Sequence, residues 1–214
     1  MPDDILEYWM SLSRQLAQKY HVEEFDKSSE MWSWENFGND VRTLKNKRGI
    51  GDEYVDVLGI RVNFDTGEAF DTLTNKKTSV SMILPHLYYY TKAKDVGVAN
   101  EWVKFNSLRG SWACRYSFDE EDINALTAAF LEKKDKLFDA FNRLGARRVE
   151  HGDAGFEIEF LPMVKVLLVF EDEDEEFPAS VKLLYDQNSI YYLPHEMLGD
   201  ISWLLAGRAI KAIS

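Results

Sequence analysis

The stretch from residue 156 to residue 185 decides the fold, and it reads FEIEF at 156–160, VKVLLVF at 164–170 and VKLLY at 181–185. In the first run Phe156, Ile158 and Phe160 alternate with Glu157 and Glu159, the period of two expected when one face of a strand is buried and the other is wet. The second is almost continuously apolar, as expected for a strand covered on both faces. The third resumes an amphipathic pattern. The acidic run Glu171 to Glu176 joins the last two, so they predict a β-hairpin with a charged tip, a composition that discourages edge-to-edge association.

Upstream, Tyr54–Val57 and Ile60–Phe64 are short apolar runs, and Asp65-Thr66-Gly67 supplies hairpin-turn chemistry before Glu68-Ala69-Phe70; together they predict a small antiparallel meander. Glu101–Phe105 and Ser111–Tyr116 flank Asn106–Gly110 and read as two strands and a turn. Helical spacing recurs at Ile5, Tyr8, Trp9, Leu12 and Leu16, and at Val80, Ile83, Leu84, Leu87 and Tyr88. It recurs again from Ile123 to Leu144, interrupted at Lys133-Lys134, with Gly145 as a C-cap. Pro85 either starts or kinks the second of these helices. Leu193-Pro194 opens a last helix with more apolar residues than one stripe needs, so that helix is expected to be well buried. Residues 21–51 show no sustained period and allow only a short helix.

The expected class is therefore α+β: an antiparallel sheet of short strands packed with an N-terminal helix, a central helical region and a C-terminal helix. No repeat and no Pro/Gly/Ser-rich linker interrupts the 214 residues, which favours one domain over 1–214, with residues 1–50 as a peripheral extension. Hydrophobic residues at 45% and aromatics at 14% supply enough apolar area to offset the entropy of ordering the chain.

Composition narrows function by exclusion. A formal charge of -12 argues against nucleic-acid phosphates and anionic lipid as partners. No stretch approaches the ~18 apolar residues of a membrane span, and the acidic start lacks a secretory n-region, which places the expectation in the cytoplasm. Cys114 is the only cysteine, so disulfides and cysteine-based metal centres cannot be built within the chain. In an apolar strand pattern it reads as an inert buried thiol. His21, His86, His151 and His195 lack metal-site spacing, and consecutive acids on an extended hairpin point in opposite directions, so no metal site is predicted. The basic run Arg42 to Arg48, followed by Gly49-Ile50-Gly51, reads as a solvated loop in preference to a phosphate site.

The aromatic excess is the most suggestive feature. Tyr88, Tyr89 and Tyr90 spread over roughly 200° of a helix, too wide for one core face, so at least one ring is expected to face elsewhere. With Trp102, Trp112, Tyr116 and Arg109 nearby, Tyr89 and Tyr90 are candidates for an aromatic cleft that binds a planar or anionic small molecule. The alternative is a small enzyme using His195, Asp186 and Tyr192 as acid-base groups.

Several short motifs carry a resemblance: Trp102–Leu108, Gly152–Phe156, Leu161-Pro162, Glu173–Ser180 and Tyr192-Leu193-Pro194. In their order they resemble the prokaryotic family known as domain of unknown function 3786, over residues 52 to 213. Arg109-Gly110 stands after Leu108 where the family usually has Pro-Gly-Gly. The resemblance implies a bacterial or archaeal origin and transfers no catalytic residue or cofactor. Similar proteins with an added cysteine-rich iron-sulfur segment imply a setting in anaerobic one-carbon or corrinoid metabolism. The resulting expectation is a non-catalytic accessory domain that binds an unidentified small molecule or protein partner.

Overall fold

The computed structural model describes residues 3–20, 31–111 and 120–213. Its elements run α1 (Asp3–Tyr20), α2 (Trp34–Val41), β1 (Tyr54–Val57), β2 (Ile60–Asn63), β3 (Ala69–Asp71), β4 (Lys76–Thr78) and α3 (Leu84–Thr91). They continue with β5 (Trp102–Lys104), α4 (Glu120–Arg143), β6 (Arg147–Val149), β7 (Ala154–Leu161), β8 (Val164–Glu171), β9 (Ser180–Asp186) and α5 (His195–Ile213). The class is α+β, with two antiparallel sheets rather than one. The meander forms a sheet of its own in the order β1-β2-β3-β4, and the second sheet runs β5-β9-β8-β7-β6.

The strand periods explain the larger sheet. Phe156 pairs with Leu168 and Ile158 with Val166 between β7 and β8, while Phe170 pairs with Val181 and Leu168 with Leu183 between β8 and β9. One face therefore becomes continuously apolar. Helix α4 covers it: the Phe138 and Phe141 rings lie 5.0 and 5.1 Å from Phe156, and Phe130 lies 4.9 Å from Phe170. Central strand β8 is buried on both sides, with Leu167 and Leu168 both inaccessible, which accounts for its unbroken apolar run. On the outer face Glu157 is held between Lys165 and Arg147.

Several expectations resolve at particular residues. Pro85 starts α3 rather than kinking it, because its missing N–H falls where a helix needs none. Lys133 takes non-helical angles inside α4, so the gap in the apolar stripe is a real break. Gly145 has φ +82 after that helix. Trp102–Lys104 forms a strand that pairs with β9 and is followed by a 3-10 segment at Phe105–Ser107. The proposed return strand, with Trp112, Cys114 and Tyr116, lies outside the described residues. The short helix allowed within 21–51 is α2, capped by Ser33, whose side chain accepts from Asn36 N.

The three tyrosine rings of α3 do not share one core face: they meet different neighbours, Tyr90 at the Pro162 turn. Tyr88, Tyr89 and Tyr90 are all buried. Helix α3 is wrapped on every side: Trp32 and Phe37 stack at 4.5 Å and Phe37 lies 4.8 Å from Tyr88, while Trp9 of α1 meets Tyr89 edge-on at 5.9 Å. The Trp9 indole donates to the Ile190 carbonyl at 2.8 Å, so α1 is anchored across the molecule. Among the described residues, no helix is long and apolar enough to cross a membrane.

Candidate functional site

A cleft of about 270 Å³ opens beside the C-terminal end of α3, lined by Lys47, Arg48, Tyr90, Ala93, Asp95, Met163 and Tyr192. Four separate chain segments build it, and each is fixed by local hydrogen bonding. The first is the basic run. Arg42 donates to the carbonyls of Phe64 and Asp65, and Lys45 pairs with Asp65 at 2.6 Å, so these two cations are spent on the turn between β2 and β3. Lys47 and Arg48 are left at the tip of a β-turn closed by Ile50 N to the Lys47 carbonyl at 2.8 Å. Gly49 takes φ +77 there and a Cβ would stand 3.0 Å from Pro162, so the turn needs glycine both for its angle and for its close approach.

The second segment is the two-residue connection Pro162-Met163 between β7 and β8, in which Met163 has φ +66. A methionine in the left-handed region costs about 1 kcal/mol. The conformation is held by the Glu159 carboxylate, which accepts from Met163 N at 3.0 Å. Tyr90 donates to the Pro162 carbonyl at 2.9 Å, fixing its ring against this turn.

The third and fourth segments are the extended stretch after α3 and the start of the α5 approach. Tyr192 donates its hydroxyl to Asp95 at 3.0 Å and accepts from the backbone N–H groups of Val96 and Gly97 at 3.1 and 2.7 Å. Asp186 accepts from Ala99 N, Asn100 N and Asn188 N at 2.7 to 2.9 Å. Together they clamp residues 95–100 onto the sheet. The rings of Tyr90 and Tyr192 stack with centroids 6.2 Å apart and planes 22° apart, forming the floor. Replacing Asp186 by alanine strands three backbone donors and is expected to cost about 1–3 kcal/mol by chemical denaturation, whereas Asp186→Asn keeps an acceptor and costs less.

The electrostatics of the cleft and its surroundings follow from burial. Burial pushes the Tyr90 hydroxyl well above its ordinary value, with Tyr192, Asp95 and Glu159 adding to the effect and Arg48 opposing it. Tyr192 is raised as well, by burial first and then by its bond to Asp95. Both phenols therefore stay protonated and are already committed to hydrogen bonds. His195 donates from Nε2 to the Arg109 carbonyl at 2.9 Å and lies against the Phe105 ring, so burial holds its pKa below the ordinary value. Its neutral form is the folded one. Unfolding frees the ring to take a proton below about pH 6.5, so this group removes stability as pH falls from that value toward the lower folded pKa. The difference in denaturation free energy between pH 7.5 and pH 5 is expected to shrink in His195→Gln relative to the unaltered chain.

Of the residues nominated from sequence, Tyr90 lines the cleft. Tyr89 is fully buried behind it, with its hydroxyl 3.0 Å from Ser13. Trp102 is half-buried on β5, and the exposed Arg109 lies on the loop beside His195. Trp112 and Tyr116 lie outside the described residues. His195, Asp186 and Tyr192 each serve a different structural contact: Arg109, Ala99 and Asp95, respectively. Lys47, Arg48, Asp95 and Met163 were missed as site residues, although the basic run containing the first two was visible. Among the described residues no three His, Cys, Asp or Glu side chains form a group able to hold a metal ion.

The fold and cleft together define an α+β protein with a small polar-aromatic recess. The family described as Domain of unknown function (DUF3786) matches residues 52–208, and the chain belongs to it. That range includes Tyr90, Asp95, Met163 and Tyr192, whereas Lys47 and Arg48 precede it. No curated protein and no solved structure matches the chain.

Proposed function

We propose that the protein is a non-catalytic, small-molecule-binding accessory domain of a prokaryotic cytoplasm, and that the cleft over Tyr90 and Tyr192 holds a compact anionic metabolite. The observation that carries this reading is the pair Lys47 and Arg48. In a chain with 37 acids and 25 bases, these two adjacent cations have no ion-pair partner among the described residues and line an aromatic recess. Cations left unneutralised in an acidic protein are a standing attraction for an anion. A volume of about 270 Å³ sits at the small end of ligand pockets, near the ~300 Å³ floor for drug-sized ligands. The recess therefore suits a small acid better than a dinucleotide or a corrin ring. A setting in one-carbon or corrinoid metabolism is compatible with a ligand of that size.

The test is a thermal-shift screen of small carboxylates and phosphate against the unaltered chain and Lys47→Ala/Arg48→Ala. A true ligand at 100 times its dissociation constant adds about 2.7 kcal/mol of stability. The shift is expected to vanish in the double variant. An equal shift in both proteins would place the binding elsewhere.

A further inference from the structure

We propose that the ligand of this cleft is a zwitterion of the amino-acid class, its acid group held by Lys47 and Arg48 and its ammonium group by Asp95. The inference rests on the anion-binding reading and adds the second charge.

Asp95 lines the same recess as the two cations, yet no ion pair joins it to either of them. Elsewhere in the molecule, acids and bases that come together collapse into direct contact. Lys45 and Asp65 meet at 2.6 Å, Lys92 and Asp40 at 2.7 Å, and Lys134 and Asp172 at 2.6 Å. Two cations and one carboxylate line the same recess without pairing, the cations on a turn that a hydrogen bond and a positive-φ glycine keep in place, so the recess carries both signs of charge. Asp95 is itself anchored. Its Oδ1 accepts from the Tyr192 hydroxyl at 3.0 Å and from Gly97 N at 3.4 Å, which leaves Oδ2 without a partner among the described residues. That oxygen accepts an N–H from an ammonium group, and its charge disfavours a second acid group at the same end. The Tyr90 and Tyr192 rings and Met163 line the same recess and offer an apolar surface for the body of the ligand. The tyrosine hydroxyls are already engaged, so polar recognition falls to the charged groups.

The experiment is isothermal titration with a set of α- and ω-amino acids, each accompanied by its deaminated acid and its decarboxylated amine. Phenylalanine, 3-phenylpropionate and phenethylamine form one such trio. At least one amino acid is expected to bind ten-fold or more tightly than either of its singly charged counterparts. In Asp95→Asn, which keeps an acceptor for Tyr192, that preference is expected to fall to three-fold or less while the deaminated acid binds as well as before or better. Deaminated acids that bind as tightly as their parent amino acids, or an Asp95→Asn protein that retains the preference, would overturn the zwitterion and leave the anion site standing. Failure of every acid, with or without an amine, to bind the unaltered protein would overturn both.

Discussion

Replacing Asp71 by alanine is expected to destabilise the protein by about 3–5 kcal/mol, the largest effect of any single polar substitution in the fold. Asp71 at the end of β3 and Arg208 on α5 are both buried and meet in a bidentate pair, with Nη1 to Oδ2 and Nη2 to Oδ1 each at 2.7 Å. Lys211 adds a contact of 2.8 Å, and Leu73 N donates to Oδ1 at 2.9 Å. The same guanidinium donates from Nε to the Leu58 carbonyl at 2.9 Å, so one side chain ties α5 to the β1–β2 turn and to β3. Removing the carboxylate leaves a buried cation whose remaining partners are carbonyls. A double change, Asp71→Val with Arg208→Met, removes both charges and is expected to cost less than Asp71→Ala alone. Urea denaturation of these proteins, with Asp71→Val and Arg208→Met measured singly, gives the ordering; a double variant as unstable as the sum of the two single changes would show that the pair is not coupled.

The pair also sets the acid response. The Arg208 guanidinium, helped by Lys211, holds the Asp71 carboxyl far below the usual carboxylate range despite the opposing effect of burial. A depressed carboxylate contributes stability above its unfolded value near 4, and that stability is lost as pH falls below it toward the folded pKa. Asp71→Asn is therefore expected to flatten the acid limb below about pH 4.

The second large effect is on binding. Lys47→Glu with Arg48→Glu replaces two unpaired cations by two anions at the mouth of the cleft. Each charge-assisted hydrogen bond to a ligand acid is worth about 1.5–3 kcal/mol, so losing both weakens binding by at least 100-fold, before any repulsion is counted. Stability is expected to stay within about 0.5 kcal/mol, because both side chains are exposed and make no bond among the described residues. That separation of affinity from stability is what distinguishes a recognition role from a structural one. Raising the salt concentration is expected to weaken binding to the unaltered chain in the same direction, since exposed charges are screened.

How much of this was legible in the sequence depends on how local the signal is. Strands β7, β8 and β9 were readable because alternation and apolar runs report burial directly, and the acidic tip marks their turn. Strand β6, Arg147-Arg148-Val149, was missed: three residues with two exposed arginines leave no period, and only pairing with Gly155, Phe156 and Glu157 makes them a strand. Tyr88 to Tyr90 are legible only in part, for a different reason. Helical geometry correctly spreads the rings, but it does not reveal that α1, Trp32 and Phe37 supply a second apolar surface and the Pro162 turn a third. The cleft escaped on grounds of distance along the chain. Lys47, Tyr90, Met163 and Tyr192 come from four separated segments, and within Arg42 to Arg48 the sequence does not distinguish cations spent on Asp65 from those left over.

The most direct measurement of the central claim is isothermal titration of 3-phenylpropionate and of phenylalanine into the unaltered chain and into Lys47→Ala/Arg48→Ala at low ionic strength. The expected result is saturable binding of at least one of the two to the unaltered chain, weakened about 100-fold or more in the variant with its thermal stability unchanged. Binding of equal strength to both proteins, or no saturable binding to the unaltered chain by these or any other small acid, would contradict the assignment of the cleft.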